Sequence, residues 1–178
     1  MKLAMAITAF LALSMPARAD LAVHYAPAEN LERIDVALID TANREIDMAA
    51  YVLTDWQVIE ALTRAADRGV KLRIYLDGGQ LAAREPPKVF QELAETPEVQ
   101  IRTKLNHGIF MHLKSYEIDG RVLRTGAANF SASGEKRQDN DLIVIESAEA
   151  AAAFRREFDA IFADGEALAG WAVQNAHD

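Results

Sequence analysis

The stretch MHLKSYEIDGRVLRTGAANFS, residues 111–131, sets two short strand-like runs on either side of Asp119-Gly120. Asp-Gly between such runs is a strong hairpin signal, because the favoured two-residue turn takes positive φ at both central positions. His112 and Lys114 stand two apart on the first run, and alternation along a strand sends both side chains to one face. Asn129 lies just past the second run, beyond Gly126, a residue type that marks close backbone approach. An imidazole, an ammonium and a carboxamide can therefore converge, the groups needed to hold an oxyanion and attack it. Asp119 occupies the turn and points away from His112 by strand parity, so it reads as the residue that fixes the hairpin.

Working outward, residues 99–104 form a strand before the hairpin and residues 141–146 a buried strand after it. A long helix then starts at Ser147 or Glu149, with Phe154, Phe158, Ile161 and Phe162 on its apolar face. Towards the N-terminus the order is strand (21–25), helix (30–44), strand (46–53), helix (56–68) and strand (70–76). Thr54 or Asp55 is the N-cap of the second helix and Gly69 its stop. Alternation of this kind predicts right-handed crossovers and a single α/β domain: a mostly parallel mixed sheet with helices on both faces. Asp77-Gly78-Gly79 reads as a polar loop, Pro86-Pro87 as the start of a short helix to Ala94, and the tail as helical to about Val173.

Composition narrows the function classes. The chain has 178 residues, a hydrophobic content of 51% and a mean hydropathy of −0.05, enough for one cored domain and too polar for a membrane bundle. Residues 1–19 read as a secretory signal peptide: a basic start at Lys2, an apolar run, and Ala17-Arg18-Ala19 as the cleavage site. The mature domain is then residues 20–178, periplasmic or secreted, with no integral membrane association. There is no cysteine, so export brings no disulfide framework. The mature part holds 17 basic and 27 acidic residues, which by itself disfavours wrapping a nucleic acid. Residues 99–138 run the other way, with seven basic and three acidic residues, so a basic face for an anionic substrate remains. His24 reads as structural, His107 as a loop residue, and His177 as tail. His107 and His112 lack the spacing of a zinc pair, and no cofactor or metal is expected. Trp56 and Trp171 fit helix packing, and Phe110 and Met111 fit core.

His112-x-Lys114-(x)4-Asp119, followed by Gly126-Ala127-Ala128-Asn129, resembles the HKD motif of the phospholipase D superfamily. The resemblance extends over Val23–Pro27, Glu45–Asp55 and Ala65–Asp77, covering nearly all of residues 21–162. It looks nearest to the short bacterial phospholipase D-like endonucleases, which carry one motif per chain.

The resemblance implies that His112 attacks phosphorus to give a phosphohistidine, while a second motif histidine protonates the leaving alkoxide. Lys114 and Asn129 would bind the non-bridging oxygens, with Gly126 beside them, and no metal takes part. With one motif in the chain, the second histidine must come from a second copy, so a homodimer is implied. Two positions depart from the family pattern. Ala127 stands where the family has a serine that donates to phosphate. Asn140 stands where it has a glutamate that orients the nucleophilic histidine.

The expected substrate is DNA or RNA, held through phosphate, with Arg102, Lys104, Arg124, Lys136 and Arg137 steering the backbone. Two alternatives keep the fold: a phospholipid phosphodiesterase, and a binding homologue in which Ala127 and Asn140 have removed turnover. A two-lobed periplasmic binding protein is disfavoured by size.

Overall fold

The computed structural model describes residues 19–84, 87–104 and 108–168. The expected signal segment, His107, Trp171 and His177 fall outside these residues, so the expectations placed on them stay as such.

Each long helix starts where the sequence supplies an oxygen acceptor. The Asn30 side chain accepts from Arg33 N–H and opens α1 (Leu31–Asp40). Asp55 accepts from Gln57 and Val58 N–H and opens α2 (Trp56–Asp67), while Ser147 accepts from Ala150 N–H and opens α6 (Ala148–Ala163). Such caps satisfy donors that the first helical turn leaves without partners. Gly69, at φ 86, ends α2 as read from the sequence.

The strands are β1 (Asp20–Ala26), β2 (Glu45–Ala50), β3 (Lys71–Asp77), β4 (Val99–Lys104), β5 (Lys114–Ile118), β6 (Val122–Thr125), β7 (Asn140–Glu146) and β8 (Glu166–Ala167). They form one sheet in the order β1-β7-β6-β5-β2-β3-β4-β8. The sheet is mixed and carries helices on both faces, as expected. Its parallel part is confined to β2-β3-β4, where α2 and the short α4 (Lys88–Ala94) make the crossovers. The other pairings are antiparallel: β5 and β6 are joined by a tight turn, residues 126–139 return the chain from β6 to β7, β1 lies against β7, and β8 lies against β4.

Strand parity splits the core in two. Ile46, Met48, Leu72, Ile74, Tyr116 and Ile118 face α1, α2 and α4, meeting Leu31, Ile39, Ile59, Leu62 and Phe90. On the other face Ala49 and Tyr75 meet Met111 and the α6 residues Phe158 and Phe162. Each fully buried Leu or Phe side chain here adds about 2 kcal/mol of transfer free energy.

Three segments differ from the sequence reading. Gly78–Ala82 is a helix, α3, because Asp77 accepts from Gln80 N–H at 2.9 Å and caps it. Ala132–Lys136 forms a short α5 capped by Ser131. Helix α6 ends at Ala163, where Arg102 donates to the Phe162 and Ala163 carbonyls, and Glu166–Ala167 turns back along β4, so residues 164–168 do not form the expected tail helix; the rest of it, to about Val173, lies outside the described residues. Among the described residues no helix is long and apolar enough to cross a membrane.

One end of the sheet collects the chemistry. Parallel strands β2 and β3 finish there, antiparallel β5 begins there and β6 ends there. Loops 51–55, 78–84, 109–113 and 126–131 therefore share one rim, the place where ligands bind in open α/β sheets.

Candidate active site

Asp119 and Gly120 sit at φ 55 and φ 70, the two positive values the tight turn requires. The Asp119 carboxylate accepts from the backbone N–H groups of Asn43, Arg44 and Glu45 at 3.0, 2.8 and 3.0 Å. Burial works to raise its pKa, and those three donors outweigh it and hold the group below its ordinary value. Asp119 is the fifth residue after Lys114 along β5, about 17 Å away at 3.3–3.4 Å per residue. It pins the far end of the hairpin, away from His112 and Lys114.

β5 begins at Lys114, so His112 precedes the strand expected to carry it. Tyr51 N–H donates to the Leu113 carbonyl at 2.8 Å, and Met111 N–H donates to Asp77 Oδ2 at 3.0 Å. These bonds hold the approach segment extended and leave the imidazole exposed. Lys114 folds back beneath it, its Nζ donating to the His112 carbonyl at 2.8 Å and lying 3.1 Å from His112 Nδ1. Tyr51 lies under both: its ring is 4.4 Å from the His112 ring and 4.8 Å from Lys114 Nζ. Lys114 is 7% exposed, and burial pushes its amine below the usual lysine range. With an ammonium facing Nδ1, that nitrogen is the acceptor, and the neutral imidazole in this arrangement carries its proton on Nε2. The sequence did not single out Tyr51. Its position at the end of the parallel strand β2 was the available signal.

Gly126 takes φ 134, and a Cβ there would lie 2.6 Å from the Asp141 carbonyl oxygen, so the expected close approach is present. Ala128 N–H donates to that carbonyl at 3.2 Å and Ala127 N–H to Asp141 Oδ1 at 2.9 Å. The turn delivers Asn129, whose Oδ1 is buried without a protein partner. Asn140 does not orient His112. Its amide donates to the Gly134 carbonyl at 2.7 Å and so holds α5.

Three of the five expected steering cations are engaged within the fold. Arg124 is fully buried: its guanidinium donates to both Asp35 oxygens at 2.8 and 2.7 Å and cannot touch a substrate. Its third arm reaches the carbonyls of Lys114 (2.8 Å) and Ala128 (3.3 Å), so Arg124 ties the strand of Lys114 to the residue before Asn129. Lys136 bonds to Glu32 and lies 3.8 Å from Asp55. Arg102 caps α6 and stacks on Phe162 at 4.9 Å. Lys104 and Arg137 remain: Lys104 is half-buried at the site end of β4, and Arg137 is exposed.

Below the rim lies a buried acidic group. Glu32, Asp55 and Glu135 bring one carboxylate oxygen each within 4.8 Å of one another, with Lys136 beside them. Burial drives Glu135 up to about 10, helped by the charges of Asp35 and Asp55, so it is a neutral acid at neutral pH. Around His112 the surface is apolar. Ile109, Phe110 and Leu113 are 69%, 57% and 39% exposed, and Trp56 is also exposed instead of packed. Of the expected Phe110-Met111 core pair, only Met111 is buried.

Residues 36–162 match the family model described as cardiolipin synthase, phospholipase D-like domain. A protein of Rickettsia bellii named phospholipase D is 33% identical over 144 residues, covering 78% of this chain and 67% of its own length. The Rickettsia felis protein of the same name is 32% identical over 142 residues, 77% of this chain and 66% of that protein. Among solved structures, Nuc from Salmonella typhimurium, a phospholipase D family member, superposes with a TM-score of 0.73 at 23% identity over 84% of this chain and 98% of Nuc. NucT from Helicobacter pylori gives a TM-score of 0.75 at 18% identity over 85% of this chain and all (100%) of NucT.

Proposed function

The chain belongs to the phospholipase D superfamily of phosphodiesterases, and we propose that within it this protein is a non-specific endonuclease, cutting DNA or RNA at a site completed by a second copy. The observation that carries the reading is the His112–Lys114–Tyr51 stack, with an exposed imidazole 3.1 Å from a buried ammonium. In the reaction, Nε2 of one His112 attacks phosphorus. The bond to the leaving oxygen breaks, and the partner's His112 gives that oxygen its proton. Water then attacks the phosphohistidine, giving up a proton to the partner's His112, and the first imidazole is released. Lys114 and the Asn129 amide face the charge that develops on the non-bridging oxygens. The tautomer with the proton on Nε2 suits the donor role. The attacking copy must carry its proton on Nδ1, which requires the Lys114 ammonium to leave Nδ1 for the phosphate. No metal enters these steps, and the reading includes export to the periplasm or beyond, on the signal-like pattern of residues 1–19.

A second reading has its own observation: Ile109, Phe110 and Leu113 form an apolar lip beside His112 that would suit a phospholipid surface. One assay separates the two. Plasmid DNA, RNA and phospholipid vesicles are offered to wild type and His112→Ala, each with and without EDTA. EDTA-resistant strand cleavage that is lost in the variant is the expected result. Cleavage that survives His112→Ala removes the assigned nucleophile, and turnover of vesicles alone favours the lipid reading.

A further inference from the structure

We propose that Tyr51 is a positioning residue whose ring keeps the Lys114 ammonium charged beside His112 until a phosphate takes it. The inference rests on the phosphodiester-cleaving reading of the site and assigns the ring its part in it. Tyr51 grips the approach segment along its length. Its backbone N–H donates to the Leu113 carbonyl at 2.8 Å. Its ring lies 4.4 Å from the His112 ring, tilted by 56°, and 4.8 Å from Lys114 Nζ. The Phe110 ring meets it nearly at right angles, at 77° with centroids 6.2 Å apart, and so helps to fix its plane.

Lys114 needs such a neighbour. It is 7% exposed, and burial favours the neutral amine. No carboxylate pairs with its Nζ among the described residues; the bonds it makes are to the His112 carbonyl and Nδ1. The ionisable groups on the adjoining elements are bonded elsewhere: Asp77 to Gln80 and Met111 N–H, Asp141 to Ala127 N–H, and Arg124 to Asp35. His112 faces the ammonium with an uncharged nitrogen. A carboxylate in the place of Tyr51 would hold the ammonium more firmly, but it would repel a phosphate and compete with it for the same N–H groups. An aromatic face attracts a cation through its quadrupole, has no net charge and takes no N–H group away from the substrate. The ring thus opposes desolvation without occupying the place of the phosphate. The attraction persists to about 6 Å from the ring centre, so the ammonium can leave Nδ1 for a phosphate oxygen and stay over the ring.

The test compares Tyr51→Leu and Tyr51→Phe in the full chain, with Tyr51→Met as a second apolar replacement and thermal melting to report the fold. One readout is the titration of Lys114, followed by the NMR signal of its ε-methylene, which Lys114→Arg identifies. The other is the alkaline limb of the strand-cleavage profile. Tyr51→Leu should move both to lower pH by about 0.5–1.5 pH units, the scale of a desolvated cation–π contact. Tyr51→Phe keeps the face and should restore both. A Lys114 titration that Tyr51→Leu and Tyr51→Met leave in place overturns the inference, because a merely structural ring would slow cleavage equally at every pH. A Tyr51→Phe that behaves like Tyr51→Leu also overturns it and assigns the effect to the hydroxyl. A wild type that cuts no strand overturns the endonuclease reading instead, and the NMR titration still decides the role of the ring.

Discussion

Arg124 and Asp35 face each other as two forks, Nε to Oδ1 at 2.8 Å and NH2 to Oδ2 at 2.7 Å, with neither side chain exposed to solvent. Tyr116 also donates to Asp35 Oδ1, at 2.8 Å, so the carboxylate accepts three hydrogen bonds from buried donors. Removing one partner of such a pair leaves an uncompensated buried charge. Arg124→Met should cost about 3–5 kcal/mol in urea unfolding. Arg124→Lys should recover little, because a point charge cannot span Asp35 and the Lys114 carbonyl together. A loss below 1 kcal/mol on either change would contradict the assigned role.

Glu135 sets a pH dependence of stability. Its folded pKa, about 10, lies far above the ordinary carboxyl value, so between the two the folded state binds the extra proton. Stability therefore falls as pH rises through that window. Glu135→Gln keeps the shape and removes the titration. Urea midpoints at pH 6 and pH 9 should differ less for the variant than for wild type.

Lys114 gives a second sign. Burial lowers its pKa, so its charge is lost at a lower pH than for a free lysine. Strand cleavage should decline on the alkaline side before the ordinary lysine range is reached, since the neutral amine no longer offsets charge on the phosphate. The stability effect is opposite: the unfolded state holds more protons in that window, so this group's contribution rises with pH. An alkaline limb that sets in no earlier than for an ordinary lysine would count against Lys114 as the phosphate ligand.

Gly126→Ala meets the Asp141 carbonyl at 2.6 Å and an unfavourable φ of 134. A loss of about 1–3 kcal/mol is expected, with activity reduced beyond that because Asn129 moves with the turn. Unchanged melting would mean that the loop yields without cost.

With Arg102, Arg124 and Lys136 engaged in the fold, few of the expected cations remain for a polyanion: Lys104, Lys114 and Arg137 on each copy. The log–log slope of strand binding on salt should be no steeper than about −4 for single strands at the two-copy site. A slope near −6 would require a basic surface that the described residues do not provide.

The hairpin, the cap of α2, the interrupted β2-α2-β3 pattern and the close approach at Gly126 were all legible, because turn chemistry and apolar period are local signals. The family was legible for the same reason, as His112, Lys114 and Asn129 hold fixed spacings. What stayed hidden was the partnership of charges. Nothing near Arg124 in sequence shows that Asp35, on α1, claims it, and Lys136 and Glu32 are just as far apart along the chain. Strand parity also overreached: it placed His112 in β5, whereas the sheet begins at Lys114 and the Tyr51 and Asp77 bonds set the imidazole instead. Helix α3 was missed because two glycines read as a loop. Gly78 is there for space, since a Cβ would lie 2.6 Å from the Lys104 carbonyl.

Asp77 holds two things with one carboxylate: Oδ1 caps α3 through Gln80 N–H, and Oδ2 takes Met111 N–H, one residue before His112. The cap of α3 and the tether of the segment that carries His112 therefore hang on a single side chain, so Asp77→Ala would release both ends at once.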